Sequence, residues 1–410
     1  MRGLIGYPLG HSYSKIIHEA INHKSYDLIP LNEEEFKEFM DKKEFECINV
    51  TIPYKEKVIP YLHEIETHAQ KIGAINCIVN DHGHLTGYNT DYYGFKYTVE
   101  HNGFVIKNKK VAILGTGGAY KAVFEVISEM EPLNIYSVSR NKKDNCITYD
   151  DLEYIDPEIL INTTPVGMYP NNDDMIYDID KLNRLEGVID VIYNPINTKL
   201  VLKAKERGIK AVGGLEMLVA QAVKALEIFD HQKYDDSIID KTYEELLRDK
   251  LNIVLIGMPS SGKTTIAGIL QERLEYETYE MDDIITGEIK MPIKDYFNQY
   301  GEEAFRDKET ACAKALRNKH HVIISCGGGV IKRPVNIQYL KENGFIIFID
   351  RNIDKLIATD DRPLSNDFEK LNRLYLERYD LYRKYSDITI SNNGDINDTV
   401  NQILESRIIK

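Results

Sequence analysis

Short runs rich in β-branched and other apolar residues alternate with amphipathic helical stretches along almost the whole chain. KKVAILG precedes YKAVFEVISEM, GVIDVIY precedes TKLVLKAKERG, LNIVLIG precedes KTTIAGILQERL, and LINTTP, HHVIISCGG and FIIFID add further strand blocks. Helices alternating with strands of this kind predict parallel sheets covered by helices, an α/β fold. With 410 residues the chain suffices for two or three cores, and 43% hydrophobic with 28% charged residues is ordinary for globular domains.

The segment after Asp230, HQKYDDSIIDKTYEELLRDK, is strongly polar and has no strand block, and a fresh strand opens at Leu251. The main boundary is expected there, giving domains 1–245 and 246–410. The first half is expected to subdivide, because a βαβ unit opens at Lys109: residues 1–95 with 215–240 form one lobe, and 96–214 form a nucleotide lobe. The helical stretch GLEMLVAQAVKALEIF returns the chain to the first lobe. The cleft between the lobes is the expected substrate site.

A net charge of −14 without a long basic run gives no footprint for nucleic acid. The five cysteines form no CxxC pair, so buried reduced thiols are expected rather than disulfides or zinc. No apolar run is long enough to cross a bilayer and the N-terminus makes no signal-peptide core, so a cytoplasmic protein without membrane partners is expected. Oligomeric state, monomer or homodimer, is left open.

In the nucleotide lobe the strand over 111–114 runs into Gly115, Thr116, Gly117 and Gly118, and a helix with Ala119, Ala122 and Val123 inward follows. Glycines there bring helix N-terminal amides against a pyrophosphate. Tyr120 replaces the usual third glycine, so turn chemistry alone is the competing account. The next strand, NIYSVSR, ends in Arg140 with Lys142 and Lys143 close behind. Cations suit a ribose 2′-phosphate and favour NADP over NAD, while a solvated basic loop, with Asp144 nearby, is the alternative.

Polar clusters stand at the ends of apolar segments: Ser12 and Ser14, the run 49–55 with Thr51 and Lys55, Asn76, the run 89–91 with Asp91, the run 162–164, and Gln221. Ser12 and Ser14 on an extended turn face one side and suit a carboxylate; alternatively Ser14 caps the following helix. Lys55 and Asp91 are placed to converge on the cleft, where a lysine ammonium held by a carboxylate can protonate an alkoxide left by hydride transfer. A surface salt bridge is the alternative.

GLIGYPLGHSYS, NVTIPYKEKV, GAINCIV, GYNTDYYGF, ILGTGGAYKAV, INTTPVGM, VIDVIYNPINTKL and GGLEMLVAQA follow one another over nearly all of residues 1–230. In this order they resemble the shikimate dehydrogenases. The resemblance implies a Rossmann-like NADP lobe, Lys55 and Asp91 as the catalytic pair, and Ser12, Ser14, Thr51, Asn76, Tyr193 and Gln221 around the substrate. It further implies Gly115, Gly117, Gly118, Ala119, Arg140, Thr163, Gly214 and Met217 at the cofactor. The family often has Asn-Arg-Thr where this chain has Ser139-Arg140-Asn141, which leaves the arginine and changes both neighbours.

In the second half Gly257-Met-Pro-Ser-Ser-Gly262-Lys263-Thr264 satisfies GxxxxGK[ST] between the strand NIVLI and the helix TTIAGILQERL. Amides and helix dipole there cradle phosphates, the lysine reaches the β and γ groups, and the threonine ligates magnesium. Asp282, Arg306, the glycines 327–329, Arg362 and Arg378 are candidates for the acceptor side: two arginines and exposed loop amides can bind a small carboxylate, although each arginine taken alone is more often a surface residue.

This set resembles shikimate kinase over residues 251 to about 410. The resemblance implies that Arg306 and Arg378 bind the carboxylate, Gly327, Gly328 and Gly329 form the acceptor loop, Asp282 orients the accepting hydroxyl, and Arg362 meets the transferring phosphoryl from a lid. Gly257, Ser260, Ser261, Gly262, Lys263, Thr264 and Thr265 would contact ATP, with Thr264 and Glu280 serving magnesium. Glu280-Met281-Asp282 replaces the family's usual Asp-x-Asp, and the stretch RNIDKLIATDDRPL lacks the family's paired arginines. Together the resemblances imply NADPH-dependent reduction of 3-dehydroshikimate to shikimate, then phosphorylation of shikimate by ATP. The rival readings are a quinate/shikimate dehydrogenase working oxidatively with NAD, and a second half that binds nucleotide without turnover.

Overall fold

The computed structural model describes residues 1–9, 13–142, 145–356 and 368–406. The chain divides into two compact units, Met1–Tyr243 and Glu244–Lys410. The point of division falls inside the helix Ser237–Arg248, so the polar stretch after Asp230 is helical from Ser237. Its buried residues Ile239, Thr242 and Leu246 recur at helical spacing.

The strands of the first unit are β1 (Arg2–Gly6), β2 (Asp27–Pro30), β3 (Cys47–Val50), β4 (Glu64–Ile65), β5 (Cys77–Asp81), β6 (His84–Tyr88), β7 (Lys110–Leu114), β8 (Asn134–Val138), β9 (Cys146–Ile147), β10 (Ile159–Asn162), β11 (Gly187–Asp190) and β12 (Lys210–Val212). They form two sheets. The first has the order β2-β1-β3-β5-β6-β4, parallel across β1, β2 and β3, with β5 antiparallel to both neighbours. The second, β12-β11-β10-β7-β8-β9, is parallel throughout.

The second sheet buries both faces, which explains its near-continuous apolar strands. Val111, Ile113, Ile161 and Ile189 enter one core, while Ala112, Leu114, Leu160 and Val188 enter the other. Chain order reverses beside β7, so the carboxyl ends of β7 and β10 flank a switch point, where α/β sheets bind ligands.

The second unit contains β13 (Asn252–Ile256), β14 (Glu277–Glu280), β15 (Val322–Ser325), β16 (Gly344–Asp350) and β17 (Ile388–Ser391), in the parallel order β14-β15-β13-β16-β17. Val254 and Ile256 face one core, and Ile253 and Leu255 the other. The switch point lies at β13, which feeds the glycine-rich loop. All five cysteines are free thiols and four are buried. No helix among the described residues is long and apolar enough to cross a membrane.

Candidate active sites

In the first unit the Lys55 Nζ lies 2.6 Å from Asp91 Oδ2, with the two side chains 19% and 14% exposed. Each is set by its own segment. Tyr54, buried and stacked on Phe36 at 4.1 Å between ring centres, pins the turn that carries Lys55, and the Lys55 carbonyl accepts from Ile75 N at 2.7 Å. Asp91 lies in the first turn of the helix Thr90–His101, where Asn89 is the N-cap and accepts from Tyr92 N. A carboxylate there is favoured by the helix dipole.

Thr90, in the polar run 89–91, ties the neighbourhood together. Its N–H and hydroxyl donate to Asn76 Oδ1 at 2.6 and 3.2 Å, and its hydroxyl contacts Gln221 Oε1 at 3.1 Å. What Asn76 offers a ligand is therefore the N–H donors of its amide. Gln221 reaches this point because Gly94 lets two helices touch: a Cβ on Gly94 would lie 2.6 Å from Met217 O and 2.8 Å from Gln221 Cβ. A glycine inside a helical pattern was the available signal.

Thr51 follows β3, its N–H bonded to Ile5 O, and packs on Gly6, where a Cβ would meet its methyl at 2.4 Å. Ser14 departs from expectation: it is the second residue of the helix Tyr13–Asn22, so it neither lies on an extended turn nor occupies the N-cap. Ser12 lies outside the described residues. Tyr193 meets Tyr13 edge-on at 5.4 Å, on the loop after β11.

At the switch point Gly115 has φ +94°, and a Cβ would sit 2.6 Å from the Thr164 methyl and 3.2 Å from Thr163 Oγ1. The Thr163 hydroxyl is spent on Leu114 O at 2.8 Å. Gly117 caps the helix Gly118–Glu129, and a Cβ on Gly117 or Gly118 would meet nothing within 4 Å. Packing does not demand glycine there, and without side chains the helix N-terminal amides are left open to close approach, so this helix start fits a pyrophosphate. Ala119 is half-buried in the first turn, and Arg140 is exposed two residues beyond β8. Tyr120, in place of a third glycine, bonds Ser137 Oγ at 2.6 Å. Gly214 is required sterically, since a Cβ would lie 2.1 Å from Val191 O, and it starts the helix Leu215–Asp230 that carries Met217. Lys143 and Asp144 lie outside the described residues.

In the second unit Gly257, Ser260 and Gly262 adopt positive φ, and Gly262 is the N-cap of the helix Lys263–Leu274, whose first turn holds Thr264 and Thr265. The Lys263 ammonium donates to Gly257 O at 3.0 Å and Met258 O at 2.9 Å. Asn392, distant in sequence and not anticipated, donates to Ser261 O at 2.8 Å and clasps the loop.

A cavity of about 400 Å³ opens beside this loop, lined by Lys263, Thr264, Glu280, Asp282, Arg306, Glu309, Gly327, Gly328, Gly329 and Arg378 among others. The three glycines are dictated by what crowds them. A Cβ on Gly327 would lie 2.5 Å from Asp282 Oδ1, one on Gly328 2.9 Å from Pro259, and one on Gly329 1.9 Å from Arg306 Nη1. Arg306 is held by Glu302 and by buried Glu309, at 2.8 Å. Glu309 was missed in the sequence; its place three residues after Arg306 on one helix was the signal. Burial pushes the Glu309 carboxyl up despite this partner.

Arg378 is 2% exposed and donates through Nη1 to Gly328 O at 2.9 Å, while its Nε and Nη2 are buried without a partner. Two orphaned cationic donors in a cavity wall match a carboxylate. Thr264 Oγ1 lies 3.3 Å from Glu280 Oε2, and the buried Glu280 Oε1 has no partner. Burial pushes the Glu280 carboxyl up. Hard oxygen donors with an unfilled carboxylate oxygen fit magnesium. Arg362 lies outside the described residues. Elsewhere, His68, Glu125 and Glu129 cluster, but Lys71 already pairs with both carboxylates at 3.1 and 3.7 Å.

Residues 4–78 match the family described as the shikimate dehydrogenase substrate binding domain, and residues 259–407 match that described as shikimate kinase. The chain is 40% identical over 268 residues to a shikimate dehydrogenase (NADP(+)) of Clostridium perfringens, covering 60% of this chain and 97% of that one. It is 39% identical over 258 residues to the Clostridium beijerinckii protein of the same name, covering 59% and 96%. Among solved structures it resembles a chorismate mutase/shikimate 5-dehydrogenase fusion protein from Clostridium acetobutylicum, with TM-score 0.57, 37% identity, and coverage of 60% of this chain and 96% of that one. The chain therefore belongs to the shikimate dehydrogenase family and continues into a shikimate kinase domain.

Proposed function

We propose that the first unit reduces 3-dehydroshikimate to shikimate with NADPH and that the second phosphorylates that shikimate with ATP. The observation that carries this reading is Arg378: a buried guanidinium with two unfilled donors lies in the wall of the cavity that the phosphate-loop lysine also lines. A small carboxylic acid seated there lies within reach of a phosphoryl donor, and a carboxylic acid is what the preceding enzyme delivers.

Bound NADPH supplies a hydride, and bound MgATP supplies the phosphoryl group. In the first unit Lys55 gives a proton to the oxygen that becomes a hydroxyl, and Asp91 holds the ammonium 2.6 Å away and orients it. Asn76 and Gln221, fixed through Thr90, present their carboxamides to the ring hydroxyls. In the second unit Arg306 and Arg378 hold the carboxylate, and Asp282 orients the accepting hydroxyl beside the glycine loop. Lys263 and the loop amides neutralise phosphate charge, so this site works by positioning and electrostatics. Thr264 and Glu280 would hold magnesium.

Single-site variants separate the activities. Lys55→Ala is expected to abolish reduction and leave phosphorylation of added shikimate unchanged; Lys263→Ala is expected to do the reverse. Loss of both activities from either change would contradict two separate sites.

A further inference from the structure

Asp190 closes β11 with its side chain fully enclosed, on the sheet edge where the cofactor is expected. Three donors converge on it, one from the end of β10 and two from the loop that follows β11. Asn162 Nδ2 reaches Oδ1 at 3.0 Å, Ile192 N reaches Oδ1 at 3.1 Å, and Thr198 Oγ1 reaches Oδ2 at 2.7 Å. These bonds extend outward on both sides. Asn162 Oδ1 accepts from Thr164 N at 3.0 Å and Thr164 Oγ1 at 2.8 Å, and the Thr164 methyl packs against Gly115. On the other side Ile192 O accepts from Gly214 N at 2.8 Å, and Thr198 caps the helix Lys199–Glu206.

The carboxylate thus stands between the turn 162–164, which touches the phosphate-side glycine, and the loop 191–198, which carries Tyr193. Stability alone does not call for an acid here. Burial pushes the Asp190 carboxyl up to about 7, against the pull of its three donors. Apolar packing of the same volume holds two loops together without that desolvation cost. A carboxylate, with two acceptor oxygens, can take all three donors at once.

We propose that Asp190 is a positioning residue of the dehydrogenase, locking the turn 162–164 to the loop 191–198 so that the wall receiving NADPH keeps one shape. The inference rests on the dehydrogenase reading of the first unit. Asp190 touches neither cofactor nor substrate; it acts through Asn162, Thr164 and Thr198.

The test compares Asp190→Ala, Asp190→Asn and Thr198→Val in the full chain, each checked for folding by near-ultraviolet circular dichroism. NADPH affinity is read from its fluorescence, and KM and kcat for NADPH from steady-state reduction. Folded Asp190→Ala is expected to bind NADPH at least tenfold more weakly. Asp190→Asn, whose oxygen keeps Asn162 and Ile192 while the Thr198 hydroxyl turns to accept, is expected to recover to within about threefold. If Asp190→Ala does not fold, Thr198→Val, which removes one donor to Asp190 together with the cap of the helix Lys199–Glu206, should still weaken NADPH severalfold. Wild-type NADPH affinity in folded Asp190→Ala, or in Thr198→Val where that variant stands in, overturns the proposal. Absence of reduction by the wild-type chain would instead overturn the dehydrogenase reading, and the fluorescence affinity would still decide on Asp190.

Discussion

Replacing Arg378 by lysine keeps a positive charge and removes the planar fork. In the native chain Nη1 is committed to Gly328 O, leaving Nε and Nη2 for the ligand. Hydrogen bonds between a cationic donor and a carboxylate contribute about 1.5–3 kcal/mol each. Two at the lower bound come to about 3 kcal/mol, or roughly a 150-fold change in affinity. Arg378→Lys is therefore expected to raise the KM for shikimate by about two orders of magnitude, with the KM for ATP changed less than about threefold. The assay is ADP release at saturating ATP with shikimate varied. A second readout is thermal: wild type should gain melting temperature on adding shikimate, and the variant should gain little. The orphaned donors cost the ligand-free protein stability, so Arg378→Met should melt no more than a few degrees below wild type without ligand. A wild-type shikimate KM in Arg378→Lys, or a rise confined to ATP, would refute the reasoning.

The glycines offer a paired contrast. Gly329→Ala puts a Cβ about 1.9 Å from Arg306 Nη1 and should cripple phosphorylation while leaving reduction intact, whereas Gly117→Ala meets nothing in the protein and should fold normally yet raise the KM for NADPH, both read by steady-state kinetics. His18, stacked on Tyr26 at 4.1 Å, has its pKa lowered to about 3, first by burial and then by Arg2. Its folded pKa lies below the unfolded value near 6.5, so stability is complete above pH 6.5 and is lost as pH falls toward 3, by about 2 kcal/mol at pH 5. Urea midpoints of the first unit's transition at pH 7.5 and 5.0 should diverge in wild type and converge in His18→Gln; equal divergence in both would remove His18 as the cause.

What the sequence made legible were features carried by local pattern. Short continuous apolar runs predicted the strands over 111–114 and in NIVLI, and the glycine spacing located both strand-to-helix turns. Lys55 and Asp91 were anticipated near each other because each follows the end of an apolar segment. The contacts that hold these parts in place were not legible, because their partners are remote in the chain. Thr90 and Gln221 are 131 residues apart, as are Ser261 and Asn392. A polar residue with no periodic pattern carries no mark of such a partner. Ser14 was misjudged for a different reason: Tyr13 enters the helix before it, and a serine in the first turn resembles an N-cap in sequence. Asp190 sat inside a strand block that read as apolar core, which concealed a carboxylate with three donors from two segments.

The most direct test of two successive activities is one reaction: the intact protein with 3-dehydroshikimate, NADPH and MgATP, following NADPH absorbance and ADP release together. The account predicts both signals, with ADP release dependent on NADPH and trailing its consumption. Consumption of NADPH without ADP, even after shikimate is added, would contradict it.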